Sequence, residues 1–210
     1  MIITLVIIIG VAYLLGSLPF PVWIGKWFFN TDVREHGSGN AGATNTWRVL
    51  GWKAGLPVLL LDIGKGYAST WLPFLIMSFE SDPDLLLWMR IACGVCAAAG
   101  HIYPVFAGFR GGKAVATLLG VILGLMPLPA ICSMGVFFIT FFLFRYVSLG
   151  SMLAAISLPF FVSRLIHPEI FPLLMFAGLI SVMVVLIHLK NLRRLLRREE
   201  ARVVLFRKRA

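Results

Sequence analysis

The stretch from Gly37 to Arg48 combines glycines with short side chains that can form hydrogen bonds. Glycine lets the main chain turn through positive φ and approach a ligand closely, and successive amides in such a turn form a site for an anion. A helix that begins near Thr44 would direct its positive end to the same place. The stretch predicts a phosphate-binding loop, with a flexible polar linker as the alternative. The residues that would take part are Ser38, Gly39, Asn40, Gly42, Thr44, Asn45 and Arg48.

Two further groups of polar residues have spacings that fit the same chemistry. Lys113 follows Gly111 and Gly112 and precedes an apolar stretch, so its ammonium group and the amides of the turn would meet at a helix N-terminus. The alternative is a lysine that only anchors a helix at the membrane surface. His188 and Asn191 are three residues apart, which predicts that they lie on one face of a helix.

The composition identifies a membrane protein. Of the 210 residues, 60% are hydrophobic and only 13% are charged, about half the charged fraction of a soluble domain. The apolar residues come in runs of about 20, the length that crosses a bilayer. The net charge of +10 therefore reports membrane topology and does not indicate nucleic-acid binding. We expect one all-α polytopic membrane domain over residues 1–210.

Seven spans with short loops are predicted from the apolar runs. The first is interrupted by the prolines of the Gly16–Pro21 segment, because proline removes a main-chain donor and kinks a helix. The fourth is short, and a model with five spans is the alternative. The predicted spans are 3–29, 54–79, 85–106, 114–126, 130–144, 151–166 and 170–187, with an acidic connector at 80–84 and a turn at 167–169.

The distribution of basic residues predicts which side of the membrane each loop faces. Most of the 19 Lys and Arg residues fall in 26–53, 108–113, 145–150 and the tail at 190–209. Those regions share one side in a seven-span topology, and the positive-inside rule assigns that side to the cytoplasm. The candidate phosphate-binding groups and the C-terminus would then be cytoplasmic, with the N-terminus outside.

The second span contains two charged residues, Asp62 and Lys65, at i and i+3. They can pair, which lowers the cost of placing charge in a membrane helix. A structural ion pair and a direct functional role are both open interpretations. The sequence has no Gly-x-Ser-x-Gly motif and no group of carboxylates that would hold a divalent metal.

Three ordered motifs resemble those of the bacterial acyl-phosphate:glycerol-3-phosphate acyltransferases, the PlsY family. The resemblance covers nearly the whole chain, and Asp62-x-x-Lys65-Gly66 also matches. Two departures are Ala114 and Arg198, where the family usually has glycine. The motifs are Gly16-Ser-x-Pro19-Phe20 with Asp32-x-Arg34-x-x-Gly37-Ser-Gly-Asn40-x-Gly42-Ala-Thr44-Asn45-x-x-Arg48, then Gly100-His101-x-x-Pro104 with Gly111-Gly112-Lys113, and His188-x-x-Asn191-x-x-Arg194 with Glu200.

This resemblance implies transfer of a fatty acyl group from acyl phosphate to glycerol 3-phosphate at the cytoplasmic face of the bacterial plasma membrane. It implies no metal or other cofactor, and coupling to the enzyme that makes acyl phosphate. Catalytic roles would fall to Lys113, His188, Arg48 and Asn191, and substrate binding to the loop residues with Gly111, Gly112, Arg194 and Glu200. Either His188 or the phosphate of the substrate would take the proton of the attacking hydroxyl.

Two other functions fit parts of the sequence. A small permease for an organic phosphate would bind its substrate near the bilayer midplane, whereas the polar motifs here are predicted at one face. A CDP-alcohol phosphotransferase would need several intramembrane aspartates for metal, and the second span offers only Asp62.

Overall fold

The structure, a computed structural model, describes residues 2–76, 82–166 and 171–202. Within these ranges every regular element is a helix, which confirms the predicted all-α class. The described residues exclude 80–81 of the predicted acidic connector, the predicted turn at 167–169 and the basic residues of the extreme C-terminus. The chain divides into two compact units, Met1–Pro127 and Leu128–Ala210.

The first unit contains six α-helices among its described residues. The first predicted span is two helices, α1 and α2, with the predicted interruption between them at Pro19. Helix α4 ends at Ser69, well before the predicted end of this span, and Pro73 follows in a short 3-10 turn; the predicted end at residue 79 lies outside the described residues. The helices are α1 (Ile2–Gly16), α2 (Phe20–Phe29), α3 (Ala43–Leu50), α4 (Trp52–Ser69), α5 (Pro83–Ile102) and α6 (Val115–Leu125).

Glycines bring the helices of the first unit into contact backbone to backbone. A Cβ added at Gly66 of α4 would overlap the carbonyl of Thr117 in α6, and one at Gly120 of α6 would overlap the carbonyl of Ile63 in α4. Helices α1 and α5 approach each other through glycines in the same way. Polar side chains on these helices therefore meet at short range inside the unit.

The second unit packs helix α8 (Val147–Leu165) against α9 (Phe171–Ile187), with α7 (Pro127–Phe144) before them and α10 (Leu189–Leu196) after them. Helices α9 and α10 meet at an angle of 58°. Helix α8 begins at Val147, so the predicted loop at 145–150 is mostly helical. The prolines predicted to turn the chain before the fifth span lie instead in the first turn of α7, where their missing N–H groups leave no bond unmade.

Apolar helices long enough to cross a membrane occur in both units. By length and composition there are 4 in the described part of the chain, or up to 5 if α9 and α10 form one bent span. Helix α4 is not counted among them because Lys53, Asp62 and Lys65 lower its hydropathy. The predicted count of seven spans stays a prediction, as does the five-span alternative.

Candidate functional site

The buried side chain of Asn45 forms hydrogen bonds with the main chain at the start of the glycine-rich loop. Its side chain is 1% exposed, and its amide nitrogen donates to the carbonyls of Val33 (2.8 Å) and His36 (3.1 Å). Its amide oxygen accepts the main-chain N–H of Ser38 at 2.8 Å. Both amide hydrogens thus bind carbonyls of the segment that leads into the loop. These contacts give Asn45 a structural role, and its contact with a phosphate stays a prediction.

Positive φ angles shape the same loop. Gly37 has φ +63° and Gly39 has φ +72°, as the sequence predicts, whereas Gly42 is extended at φ −154° and precedes the first residue of α3, Ala43. A Cβ at Gly37 would overlap the side-chain oxygen of Asn45. Glycine is required there for both its conformation and its lack of a side chain.

The remaining predicted ligand groups of this loop face outward. Ser38, Thr44 and Arg48 are exposed, and Asn40 is half-buried. The first amides of α3, which have no partner within the helix, lie beside them. The loop thus presents hydroxyl, amide and guanidinium donors on a main chain that Asn45 keeps in shape.

An ion pair joins this first loop to the segment that precedes the second. Arg34 binds both carboxylate oxygens of Asp32, at 3.0 and 2.7 Å, and donates to the carbonyl of Ala107 at 2.8 Å. Hydrogen bonds from Arg34, and a smaller contribution from Lys26, hold the pKa of Asp32 well below its usual range. Although both residues belong to the first sequence motif, their bracing role was not predicted, because their partner Ala107 lies far along the chain.

The second loop packs directly on the first. The N–H of Gly112 donates to the carbonyl of His101 at 3.1 Å. A Cβ at Gly112 would overlap both the ring Nε2 of His101 and the carbonyl oxygen of Ala41. The half-buried Lys113 follows immediately. The structure therefore brings the Gly111–Lys113 turn next to the end of the Gly37–Gly42 segment, as a shared phosphate site would need.

Ala114 adopts a left-handed conformation, φ +55° and ψ 12°, immediately before α6. Glycine adopts this conformation without strain, whereas a residue with a Cβ incurs about 1 kcal/mol or more. The conformation explains why the family usually has glycine here, and the turn keeps its shape in this chain despite the alanine.

A buried polar cluster lies beneath the two loops. Asp62 is paired with Lys65 at 2.9 Å, which confirms the predicted pairing. The ring Nδ1 of His101 lies 3.5 Å from Asp62 Oδ1 and 3.0 Å from Thr117 Oγ1, and Lys65 also donates to the carbonyl of Leu18 at 2.9 Å. None of the four side chains is more than 5% exposed. Charges at this depth persist only when they are paired, as those of Asp62 and Lys65 are.

A cavity of about 10 Å³ connects this cluster to the loops. It has space for about one water molecule. The side chains of Lys65 and His101 border it, together with Ala41 of the first loop and Gly111 of the second. His101 was not among the predicted site residues, although its place in Gly100-His101-x-x-Pro104 was a usable signal.

His188 immediately precedes α10 in the second unit and is 4% exposed. Its Nδ1 lies 2.8 Å from the carbonyl of Val184. Since a carbonyl can only accept, Nδ1 carries the hydrogen, and in neutral imidazole Nε2 is then the nitrogen that can accept a proton. The position of His188 at the bend between α9 and α10 thus fixes which nitrogen could act as a base.

Glu200 forms hydrogen bonds with two polar side chains of the second unit. Its Oε1 accepts from Asn191 Nδ2 at 2.7 Å and from Ser148 Oγ at 2.9 Å. Glu200 therefore orients the predicted catalytic residue Asn191. Ser148 was not predicted, because it lies outside the three motifs.

The chain reaches Glu200 through a left-handed turn at the end of α10. Arg198 has φ +60°, its N–H donates to the carbonyl of Leu195, and the N–H of Glu199 donates to the carbonyl of Arg194. This is a Schellman motif, which usually has glycine at the left-handed position. The second departure from the family pattern is explained in the same way as Ala114. The side chain of Arg194 is exposed.

The predicted site residues thus divide between the two units. The first unit brings together the glycine-rich loop, Arg48 and the Gly111–Lys113 turn. The second unit brings together Asn191 and Glu200, with His188 one residue before α10. In the ranges that the structure describes, no three His, Cys, Asp or Glu side chains converge to hold a metal ion.

The chain is similar to known proteins of one kind. The family described as glycerol-3-phosphate acyltransferase matches residues 6–198. Proteins of that name include one from Streptococcus equi subsp. zooepidemicus, 49% identical over 72% of this chain and 67% of its own length. Another, from Listeria welshimeri, is 43% identical over 97% of this chain and 98% of its own length. A third, from Chlorobium phaeobacteroides, is 38% identical over 95% and 97%.

Two crystal structures have a similar fold. Both are of PlsY, described as an integral membrane glycerol 3-phosphate acyltransferase. Its glycerol 3-phosphate form has a TM-score of 0.84 and 37% identity, and covers 96% of each chain. Its lysophosphatidic acid form has a TM-score of 0.82 and 36% identity, with the same coverage. Together with the apolar helices, this likeness confirms the predicted multi-pass membrane class.

Proposed function

The chain is a member of the PlsY family of glycerol-3-phosphate acyltransferases, and we propose that it uses acyl phosphate as its acyl donor. The products would be 1-acyl-glycerol 3-phosphate, which is lysophosphatidic acid, and inorganic phosphate. The whole chain, residues 1–210, serves this one activity.

The observation that carries the proposal is the contact between the two loops of the first unit at Gly112. In that contact the carbonyl of Ala41, from the glycine-rich loop, lies beside Gly112, the residue before Lys113. Each substrate carries a phosphate, and acyl phosphate also carries an apolar chain. Anion donors on a protein with membrane-spanning helices suit both requirements.

In the reaction, the 1-hydroxyl oxygen of glycerol 3-phosphate forms a bond to the carbonyl carbon of acyl phosphate. The bond between that carbon and the phosphate oxygen breaks, and phosphate leaves. Acyl phosphate is already an activated mixed anhydride, so positioning and stabilisation of the developing oxyanion would supply most of the catalysis. We assign those tasks to Arg48 and Lys113, with Ser38, Asn40 and Thr44 binding phosphate.

The hydroxyl proton has two candidate destinations. One is His188, whose hydrogen bond to Val184 leaves Nε2 as the basic nitrogen. The other is an oxygen of the departing phosphate, which titrates near neutral pH. If His188 is the base, His188→Ala should lower kcat at saturating substrate with little change in KM. An increase in KM alone would assign His188 to binding, with Asn191 and Arg194.

The distribution of basic residues supports an orientation in the membrane, and the family resemblance supports the membrane itself. We propose that the protein lies in the bacterial plasma membrane with its C-terminus and active site in the cytoplasm and its N-terminus outside. In that position it would carry out the first step of phospholipid synthesis and would receive its donor from the enzyme that makes acyl phosphate.

A donor-exchange assay tests the proposal. Purified protein in detergent without metal receives glycerol 3-phosphate and either acyl phosphate or acyl-CoA, and mass spectrometry identifies the acylated product. We expect lysophosphatidic acid from acyl phosphate only, and more than 100-fold less from Lys113→Ala, since one donor to a developing oxyanion is worth about that factor. Product from acyl-CoA at a comparable rate would overturn the donor assignment. Absence of product with either donor would direct attention to transport of an organic phosphate.

A further inference from the structure

His101 joins the buried polar cluster to the second loop of the first unit. On one side its ring Nδ1 is 3.0 Å from Thr117 Oγ1 and 3.5 Å from Asp62 Oδ1. On the other side its ring lies against Gly112, and its carbonyl accepts the N–H of Gly112 at 3.1 Å. One residue thus contacts both the charged cluster and the turn that bears Lys113.

Three helices fix the orientation of this ring. Asp62 comes from α4, His101 from α5 and Thr117 from α6, and α4 and α6 are in backbone contact at Gly66 and Gly120. The ring is 5% exposed and Thr117 is fully buried. In this packing the imidazole cannot rotate without leaving a buried polar atom unpaired, which is costly.

The ring in turn limits the position of the second loop. Nε2 of His101 and the carbonyl oxygen of Ala41 both lie on the side of Gly112 where a Cβ would be, and they leave no room for one. A displaced or smaller side chain at residue 101 would let Gly112 move toward the cluster. Lys113, the next residue, would move with it.

We propose that His101 is a positioning residue. Held by its contacts with Thr117 and Asp62, its ring determines how far the Gly112–Lys113 turn lies from the buried polar cluster, and thereby the affinity for the phosphate of glycerol 3-phosphate. The inference rests on the proposed function for the identity of the ligand. It assigns His101 no contact with substrate.

Removal of the Thr117 hydroxyl is the mildest test. Thr117→Val keeps the shape of the side chain and removes one hydrogen bond, which should raise KM for glycerol 3-phosphate about fivefold, with a smaller fall in kcat because Lys113 moves with the turn. Thr117→Ser keeps the hydroxyl and should retain most of the wild-type KM. Thr140→Val removes a similarly buried hydroxyl from α7 and should leave both constants unchanged.

Substitution of His101 distinguishes the contact of its ring with Thr117 from the contact with Gly112. His101→Asn keeps a nitrogen near the position of Nδ1 but removes the part of the ring that contacts Gly112. We expect a KM at least about tenfold above that of wild type, with an unfolding temperature in detergent close to wild type. A purely structural role would instead lower the unfolding temperature and leave KM of the folded fraction unchanged, and that result would overturn the inference.

Labelling of Lys113 tests the inference without any turnover. Mass spectrometry would follow the rate at which a pulse of acetic anhydride acetylates Lys113 in the absence of substrate. A changed rate in His101→Asn and Thr117→Val, with no change in Thr140→Val, supports positioning even if the donor assignment proves wrong. An unchanged rate in both cluster variants overturns it. Failure of wild type to use glycerol 3-phosphate would count only against the proposed function.

Discussion

The two units hold their motif residues in different ways. In the first unit, side chains bind the main chain in and next to the loops: Asn45 binds Ser38 of the glycine-rich loop and Val33 and His36 before it, and Arg34 binds Ala107. In the second unit, the carboxylate of Glu200 binds two side chains, Asn191 and Ser148. The first arrangement shapes a backbone that offers amides, whereas the second orients an individual functional group.

This difference predicts different consequences of mutation. A loop that binds anions through its backbone depends on each side chain that holds its main chain, here Asn45 and Arg34, because one displaced segment moves several donors. A side chain oriented by one carboxylate loses only its own orientation. We therefore expect substitutions of the braces in the first unit to have larger effects than those in the second.

The largest effect is expected for Asn45→Asp. The new carboxylate has the same shape, but it offers no donor to the carbonyls of Val33 and His36 and would face them with negative charge. Loss of two buried hydrogen bonds with added repulsion should lower kcat/KM by more than about 100-fold. Steady-state phosphate release measures it, with the exposed Asn30→Asp of the same unit as control. A loss below tenfold would mean that the loop keeps its shape without the hydrogen bonds that Asn45 donates.

A smaller effect is expected for Glu200→Gln in the second unit. The amide oxygen can still accept both hydrogen bonds, but it lacks the charge that strengthens the bonds to Asn191 and Ser148. We expect kcat to fall about tenfold, the factor that corresponds to a charged hydrogen bond. Glu199→Gln, exposed and adjacent, is the matched control. Equal losses in the two variants would show that only the net charge of this segment matters.

Relief of strain at Ala114 and Arg198, two of the non-glycine residues with positive φ, should have a small effect of opposite sign. Ala114→Gly and Arg198→Gly remove a Cβ from a positive-φ position, and each should stabilise the fold by up to about 1 kcal/mol. Thermal unfolding in detergent measures this. Ala154→Gly, inside α8, should destabilise by about 0.5–1 kcal/mol. A loss of stability in either left-handed variant comparable to that of the control would contradict the assigned backbone conformation.

The smallest effect is a pH dependence from Asp32. Because its pKa is lowered in the fold, the ion pair with Arg34 contributes its full stability above the ordinary carboxyl pKa of about 4. That contribution is lost as the pH falls from there through the lowered value. The unfolding temperature should therefore fall more steeply below pH 4 in wild type than in Asp32→Asn. Parallel curves would exclude a contribution from this pair.

The sequence predicted the parts of the structure that local pattern determines. Apolar runs located most helices, including α6 and α9 to within a residue, and the glycine spacing located the turns at Gly37 and Gly39. It failed where partners come from distant positions. Nothing local to Ser148 indicates a bond to Glu200, and the pairing of His101 with Thr117 depends on how α5 and α6 pack. The early end of α4 at Ser69 was hidden because the apolar run continues beyond it.

The most direct test of the account is the stoichiometry of the reaction. Purified wild-type protein, given acyl phosphate and glycerol 3-phosphate without metal, would be assayed for inorganic phosphate and lysophosphatidic acid in the same reaction. The account predicts equal amounts of both, and neither when glycerol 3-phosphate is omitted. Phosphate release without glycerol 3-phosphate, or acyl transfer without phosphate release, would contradict it.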